Sequence, residues 1–241
     1  MIKSKRYKNN KFYLRSDLMD LLTAIETRHS VRSYTDRKIE GKVKEELLAF
    51  IDQCNLEGNL NMQLVLDEPQ AFSSKMAHYG KFNNVKNYIA VIGNKDANLA
   101  VKCGYYGEKV VLKAQQLGLN TCWVALTYKK VKQAMTIKTN EKLELVIAIG
   151  YGTDSGSTHK SKSLDQVIDK KSELPQWFKD GVKAALLAPT AMNQQKFVFS
   201  CHDKTVSLKK GTGFYSKIDL GIVKYHFEIG AHGAEFVWKI K

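Results

Sequence analysis

The stretch "RHSVRSY" (residues 28–34) gathers two arginines, one histidine and two serines at the point where a first helix should end. The amphipathic run "MDLLTAIET" precedes it, and the charged segment "TDRKIEGKVKEELLAF" follows it. A guanidinium offers a planar fork of N–H donors that matches phosphate oxygens, and a serine hydroxyl adds a short donor. Arg28, His29 and Ser30 could therefore surround one phosphate, while Arg32 could reach another part of the same ligand. A solvated basic helix end, which interacts with its own helix dipole, is the alternative.

The composition is that of a globular protein with a basic surface. The chain has 241 residues, a net charge of +14 and a hydrophobic fraction of 44%. No apolar run approaches the roughly 20 residues that span a bilayer. The lysines are spread along the chain without aromatic interleaving, which favours a solvated surface over a nucleic-acid interface. Residues 1–17 are basic but lack the apolar core of a signal peptide, so they are predicted to be an N-terminal extension.

The four cysteines, Cys54, Cys103, Cys122 and Cys201, are widely spaced and form no C-x-x-C motif. This spacing favours reduced thiols over disulfides or a zinc site, and so predicts a cytoplasmic protein. No metal-binding motif is predicted.

Hydrophobic periodicity predicts an α+β domain. Apolar residues spaced by three or four predict helices over 18–28, 42–54, 99–117, 175–188 and 218–233. Short apolar runs predict strands at 62–66, 88–93, 121–126, 144–150 and 234–240, and a hairpin at 196–210. This alternation of helices and strands indicates a mixed sheet flanked by helices.

The order of elements in 42–123 resembles that in 176–238. Each segment begins with an amphipathic helix, passes a loop rich in amides, and later reaches a long helix that ends at a glycine. Gly118 lies five residues before Trp123, and Gly233 lies five before Trp238. This pattern indicates an internal duplication, which would give one chain the pseudo-twofold symmetry of a homodimer.

Two further clusters carry polar groups. In "APTAMNQQKF" (188–197), Thr190, Asn193 and Gln195 present hydroxyl and amide groups that suit the edge of a heteroaromatic ring. An ordinary loop whose amides satisfy its own backbone is the alternative. In "HKSKS" (159–163), two lysines on alternate positions could share a phosphate, or could simply be solvated.

Together these motifs resemble those of the FMN-dependent nitroreductase family. "TRHSVRSY" is similar to the family's R-x-S-x-R/K element, and "LGLNTCWVAL" to its G-L-x-T-C-W segment. "VIAIGYG" resembles a family strand end, "HKSKS" the late basic element, and "LAPTAMNQQKF" the A-P-S-x-x-N-x-Q-P-W element. The likeness covers most of residues 18–240 and implies a nitroreductase-like fold.

One departure concerns the order of the motifs. In the family, A-P-S-x-x-N follows soon after R-x-S-x-R, but here "CNLEGNLNMQ" (54–63) lacks its proline and serine, and the better copy lies at 188–197. The chain therefore resembles a fused subfamily in which one chain mimics the dimer, with halves at 18–163 and 164–241. This implies one FMN per monomeric chain. Lys196 and Phe197 stand where the family often has Pro-Trp, which leaves the cleft wall undefined.

Carried over to these positions, the resemblance implies a flavin site. Arg28, His29 and Ser30 would bind the FMN phosphate together with Lys160 and Lys162. Arg32, the predicted catalytic residue, would lie near the N1/O2 edge and stabilise the anionic reduced flavin. The remaining cofactor contacts would come from backbone amides around Val124 and Ala125, facing N5, and from Pro189, Thr190, Asn193 and Gln195.

The resemblance also implies a reaction. Hydride would pass from NADH or NADPH to flavin N5, and then to a nitroaromatic, quinone or similar small-molecule acceptor in a ping-pong scheme. A flavin-binding storage or redox-sensing protein with little turnover is one alternative. A polyanion-binding protein, supported by the charge alone, is another. No membrane or nucleic-acid partner is predicted.

Overall fold

The computed structural model describes residues 19–169 and 173–239. Its α-helices are α1 (Leu21–Thr27), α2 (Gly41–Gly58), α3 (Lys75–Tyr79), α4 (Leu99–Gln116), α5 (Gln176–Leu186) and α6 (Ser216–Gly230). Its strands are β1 (Gln63–Val65), β2 (Tyr88–Asn94), β3 (Asn120–Val124), β4 (Glu141–Gly150), β5 (Phe197–His202), β6 (Thr205–Lys210) and β7 (Val237–Lys239). Each predicted helix and strand is present with shifted ends, and α3 was not predicted. The predicted extension at 1–17 lies outside the described residues.

The strands form two sheets. The first is antiparallel, in the order β1-β2-β4-β3. In the second, β5 and β6 form the predicted hairpin, and β7 pairs with β6 in parallel. The parallel pair follows from the connection, because α6 carries the chain back to the start of the sheet. The α+β class is confirmed, although the strands are divided between two sheets rather than gathered in one.

The first sheet is covered on both faces, as its continuous apolar runs predicted. Along β2, Ile89 and Val91 belong to a large core shared with α2, α4, α5 and α6. The alternate residues Ala90 and Ile92 belong to a second core on the opposite face. The large core also includes Phe199 of the second sheet, so one apolar interior joins both parts of the chain.

The predicted glycine stop of α4 is confirmed. Gly118 has a φ of +77°, in the left-handed region that favours glycine. The Leu119 N–H then donates to the Ala114 carbonyl over 2.9 Å, which satisfies a carbonyl at the helix end. None of the helices in the described ranges is long and apolar enough to cross a membrane.

Helices α4 and α6 cross with their backbones in close contact. A Cβ atom on Gly104 would lie 2.0 Å from the Ile218 carbonyl oxygen, and one on Gly221 would lie 2.1 Å from that of Val101. Gly104 thus faces the carbonyl of the residue three positions before Gly221, and Gly221 faces the carbonyl of the residue three positions before Gly104. This reciprocal contact has the twofold form that an internal duplication predicts, while the division of the chain at residue 163 stays a prediction.

Replacing Gly104 by alanine should destabilise the protein, although alanine favours helices. The new methyl group would meet a backbone carbonyl that cannot turn away, so we expect a loss of about 1–3 kcal/mol in the free energy of unfolding. Gly107→Ala, on the same helix, is the control, because its Cβ would meet the outer edge of a side chain, the Trp123 ring, rather than a backbone carbonyl. Urea unfolding should rank Gly104→Ala as the less stable variant, and the opposite ranking would contradict this packing.

Candidate functional site

The "RHSVRSY" segment lies beside strand β3. Helix α1 begins at a cap, where the Asp20 carboxylate accepts from the Leu22 N–H over 2.8 Å. The chain leaves α1 at Arg28 and runs parallel to β3, where Ser30 pairs with Thr121. The motif therefore follows the helix end, as predicted, and lies against the "TCW" strand.

Arg28 is almost completely buried, with 4% of its surface exposed. Its Nε lies 3.9 Å from Oε1 of Glu108, and this nitrogen has no hydrogen-bond partner among the described residues. Burial lowers the pKa of Arg28, and the nearby Glu108 carboxylate opposes that shift. Arg28 is thus not the solvated helix end of the alternative interpretation.

A cavity of about 40 Å³ lies beside Arg28, and its lining includes His29, Thr158 and His159. The first and third sequence clusters therefore meet at His29 and His159, while the lining of this cavity does not include Ser30, Lys160 or Lys162. Burial lowers the pKa of His29, and the charges of Arg28 and His159 add to this effect. The cavity is far smaller than the roughly 300 Å³ of a typical ligand pocket, so it has room only for a small chemical group.

Ser30 and Arg32 lie near β3 at Cys122. Burial raises the pKa of the Cys122 thiol, and the charge of Arg32, a hydrogen bond with Ser30 and the charge of Arg28 oppose this rise. Arg32 is exposed, whereas Val124 at the end of β3 is buried. The two arginines of the segment thus have different environments: Arg28 is buried, and Arg32 is open to solvent.

The second and third sequence clusters also contact each other. The Lys162 N–H donates to Oε1 of Gln195, and the Lys162 ammonium donates to the Gln195 carbonyl, both over 2.8 Å. The Asn193 and Gln195 amides each donate to the Lys160 carbonyl over 2.9 Å. These bonds hold the loop of residues 159–163, the basic loop, against the loop of residues 188–197, the amide loop. The side chain of Gln195 is therefore used within the protein, as the alternative interpretation of this loop stated.

The amide loop has an unusual backbone. Met192, Asn193 and Gln195 all have φ between +44° and +53°, in the left-handed region that non-glycine residues seldom adopt. A residue that the sequence did not indicate, Asp219 at the start of α6, helps to hold this loop. Its carboxylate accepts from the Ala191 N–H over 3.0 Å and from the Gln194 amide over 2.7 Å.

Most of the chain is similar to one known protein family. The family described as "Putative TM nitroreductase" matches residues 20–231. A "putative nitroreductase" from Thermotoga maritima is similar in structure, with a TM-score of 0.65, 24% identity, and coverage of 92% of this chain and 88% of that one. None of the curated proteins matches the sequence. The predicted family and the nitroreductase-like fold are thus confirmed.

Two smaller structures match part of the chain. A nitroreductase family protein from Streptococcus pneumoniae has a TM-score of 0.51 and 15% identity, covering 63% of this chain and 100% of that one. A "putative nitroreductase in complex with FMN" from Exiguobacterium sibiricum has a TM-score of 0.51 and 16% identity, covering 64% and 98%. These identities show a common fold alone.

The carboxyl group of Asp219 should make the stability of the protein depend on pH. Burial raises its pKa from 3.8 to about 6, against the opposing hydrogen bonds from Gln194 and Ala191. The folded protein therefore binds a proton that the unfolded chain releases between about pH 4 and 6, so the contribution of Asp219 to stability falls as pH rises through this window.

The variant Asp219→Asn cannot ionise and should lose this dependence. The free energy of unfolding of the wild type relative to the variant should increase by roughly 1–3 kcal/mol from pH 7 to pH 4.5. Urea unfolding at several pH values measures this difference, with Asp52→Asn, an exposed position on α2, as the control. A difference that is constant with pH would contradict the raised pKa.

Proposed function

The chain belongs to the nitroreductase family, and on this premise we propose that it is an FMN-dependent oxidoreductase. It would use NADH or NADPH to reduce a nitroaromatic, quinone or similar small molecule. The observation that carries the proposal is the buried guanidinium of Arg28, whose Nε is unpartnered among the described residues and which lines a small cavity with His29 and His159. The FMN named with the Exiguobacterium sibiricum structure supports the choice of flavin.

Arg28, His29 and His159 suit a phosphate, although Glu26 and the apolar Ile25 and Leu187 line the same cavity. A buried cation with an unsatisfied N–H is costly, and a phosphate oxygen would supply both the opposite charge and the acceptor. His29 and His159 add nitrogen atoms at the same cavity. We therefore assign the FMN phosphate to Arg28, His29 and Ser30 on one side, and to the Lys160–Lys162 loop on the other.

The ring of the flavin would lie toward the end of β3. Arg32 is exposed on the segment that runs beside this strand, so its charge is open to a ligand there. We assign Arg32 to the N1/O2 edge and the backbone around Val124 and Ala125 to N5. Bound FMN would supply two-electron transfer, taking hydride from a nicotinamide and giving it to an acceptor in a ping-pong scheme. A positive charge at the N1 edge favours the reduced, anionic ring.

The amide loop would serve this site in two ways. We propose that Pro189, Thr190, Asn193 and Gln195 approach the ring and the ribityl chain from the second half. The hydrogen bonds of Asn193 and Gln195 to Lys160 support an additional task, which is to hold the basic loop near the phosphate.

We further propose one FMN site in each monomeric chain. The reciprocal contact of α4 and α6 at Gly104 and Gly221 supports this proposal, because it places within one chain the kind of contact that two subunits make across a twofold axis. The four unpaired cysteines support a reducing, cytoplasmic location.

Removing the Arg28 guanidinium should weaken FMN binding. A charge-assisted hydrogen bond contributes about 1.5–3 kcal/mol, so Arg28→Ala should raise the Kd for FMN by about tenfold or more. Arg37→Ala is the control, because Arg37 lies three residues beyond this segment and stacks on the Tyr151 ring at 3.8 Å. Titration of the apoprotein followed by flavin fluorescence gives Kd and stoichiometry. Equal Kd values for the Arg28 variant and the wild type would remove Arg28 from the site.

Removing the charge of Arg32 should slow flavin reduction more than it weakens binding. Arg32→Ala should retain FMN but bleach more slowly with NADH or NADPH under anaerobic conditions, because the reduced ring loses its compensating charge. Stopped-flow absorbance measures the rate, again with Arg37→Ala as control. Bleaching at the wild-type rate would refute the role of Arg32. If the wild type itself does not bleach, the alternative of a flavin-storage or sensing protein is favoured.

A further inference from the structure

Arg28 belongs to a buried polar cluster. Its other members are Glu108, Trp123 and His226. Glu108 on α4 and His226 on α6 have no exposed surface, and Arg28 is 4% exposed. The side chain of Trp123 reaches the cluster from β3. Three ionisable side chains are thus enclosed where α1, α4 and α6 meet, and the proposed flavin chemistry gives Glu108 and His226 no part.

The carboxylate of Glu108 is the centre of this cluster. Its Oε1 lies 2.8 Å from Nε2 of His226 and 3.9 Å from Nε of Arg28. Its Oε2 accepts from the Trp123 indole N–H over 2.9 Å. Nδ1 of His226 lies 3.1 Å from the Ala184 carbonyl oxygen on α5. Glu108, itself on α4, therefore links Arg28 at the end of α1 to His226 on α6.

The hydrogen-bond partners determine how many protons the cluster holds. The Ala184 carbonyl can only accept, so Nδ1 of His226 must carry a hydrogen. Between Nε2 of His226 and Oε1 of Glu108 there must be one more proton, because two lone pairs facing each other at 2.8 Å would repel. Whether that proton resides on nitrogen or oxygen, His226 and Glu108 together are neutral.

The cluster therefore has a net charge of +1, which belongs to Arg28. His226 neutralises the carboxylate that would otherwise draw Arg28 into a complete ion pair. The 3.9 Å separation and the unpartnered Nε of Arg28 among the described residues agree with such a weakened pair. The guanidinium is thus anchored near Glu108 and retains its charge beside the adjacent cavity.

We infer that Glu108 and His226 are positioning residues, which hold Arg28 in place and keep its charge available to the phosphate of the flavin. This inference rests on the proposed function. It also gives α6, in the second part of the chain, a role in the phosphate site that no motif indicated. An FMN phosphate at Arg28 would compensate the unbalanced charge of the whole cluster.

Glu228 provides a matched comparison within the same pair of helices. It lies on α6, accepts from the Trp238 indole N–H over 2.8 Å and from the Tyr105 hydroxyl on α4 over 2.6 Å. It also forms an ion pair with Lys224. Glu228 thus resembles Glu108 in linking α4 and α6 and in binding a tryptophan, but none of its described partners is an arginine.

The test compares binding of FMN with binding of riboflavin, which lacks the phosphate. Flavin fluorescence gives both Kd values for the wild type, Glu108→Gln, His226→Gln and the control Glu228→Gln. In the wild type, FMN should bind more tightly than riboflavin. His226→Gln should reduce this preference by about tenfold or more, with the Kd for riboflavin nearly unchanged, because Glu108 would then stay ionised and pair with Arg28. Glu108→Gln should keep most of the preference, because a neutral amide leaves the cluster at the same net charge of +1 and can still bond to His226 and Trp123. Glu228→Gln should keep the preference even if it lowers thermal stability.

A double-mutant cycle shows whether His226 acts through the charge of Glu108. If it does, His226→Gln should have little further effect on the preference for FMN once Glu108→Gln is present. An equal effect in both backgrounds, or an unchanged preference in the His226 variant, would overturn the inference while leaving the proposed function intact. A wild type that binds FMN no better than riboflavin would instead overturn the phosphate site itself. His226→Asn removes the same proton carrier, so it decides the question if His226→Gln does not fold.

Discussion

The close crossing of α4 and α6 is the contact on which the candidate site depends. Without side chains at Gly104 and Gly221, the two backbones touch. About one helical turn further along the same pair of helices, Glu108 and His226 come within 2.8 Å of each other. A larger residue at the crossing would push the helices apart and lengthen this bond. The packing of two helices thus determines the surroundings of Arg28, which lies on neither of them.

The buried cluster lowers the free energy of unfolding of the protein. An unsatisfied buried donor costs about 1–3 kcal/mol, and enclosing ionisable groups adds a desolvation penalty that a 3.9 Å ion pair offsets only in part. Apolar residues of similar volume would often be as stable. Such arrangements are typical of functional sites. An anion bound at Arg28 would compensate the charge, so FMN should also stabilise the fold by mass action.

The sequence predicted the elements better than their assembly. Apolar periodicity located the long helices, because α4 and α6 each bury a continuous face. Gly118 indicated the end of α4, because glycine readily adopts the left-handed backbone conformation found there. The division of the strands into two sheets depends on long-range pairing, which periodicity does not report. Glu108 and His226 were missed because a single polar residue within an apolar helical face gives no sign of its partner on another helix.

The candidate site could be predicted only in part, because the sequence does not report which distant residues become partners. Arg28 and His29 of the first motif meet His159 at one cavity, whereas Ser30, Lys160 and Lys162, which the resemblance also assigned to the phosphate, do not line it. The hydrogen bonds of Asn193 and Gln195 to the basic loop could not be foreseen, because they depend on left-handed backbone conformations at Met192, Asn193 and Gln195. Asp219 gave no signal, because one acidic residue in the first turn of a helix is common.

The most direct test of the account is a crystal structure of the protein with FMN bound. The account predicts one FMN in each chain, with its phosphate within hydrogen-bond distance of the Arg28 guanidinium and its ring beside Arg32 at the end of β3. A phosphate bound away from Arg28, with the guanidinium still facing Glu108 alone, would contradict it.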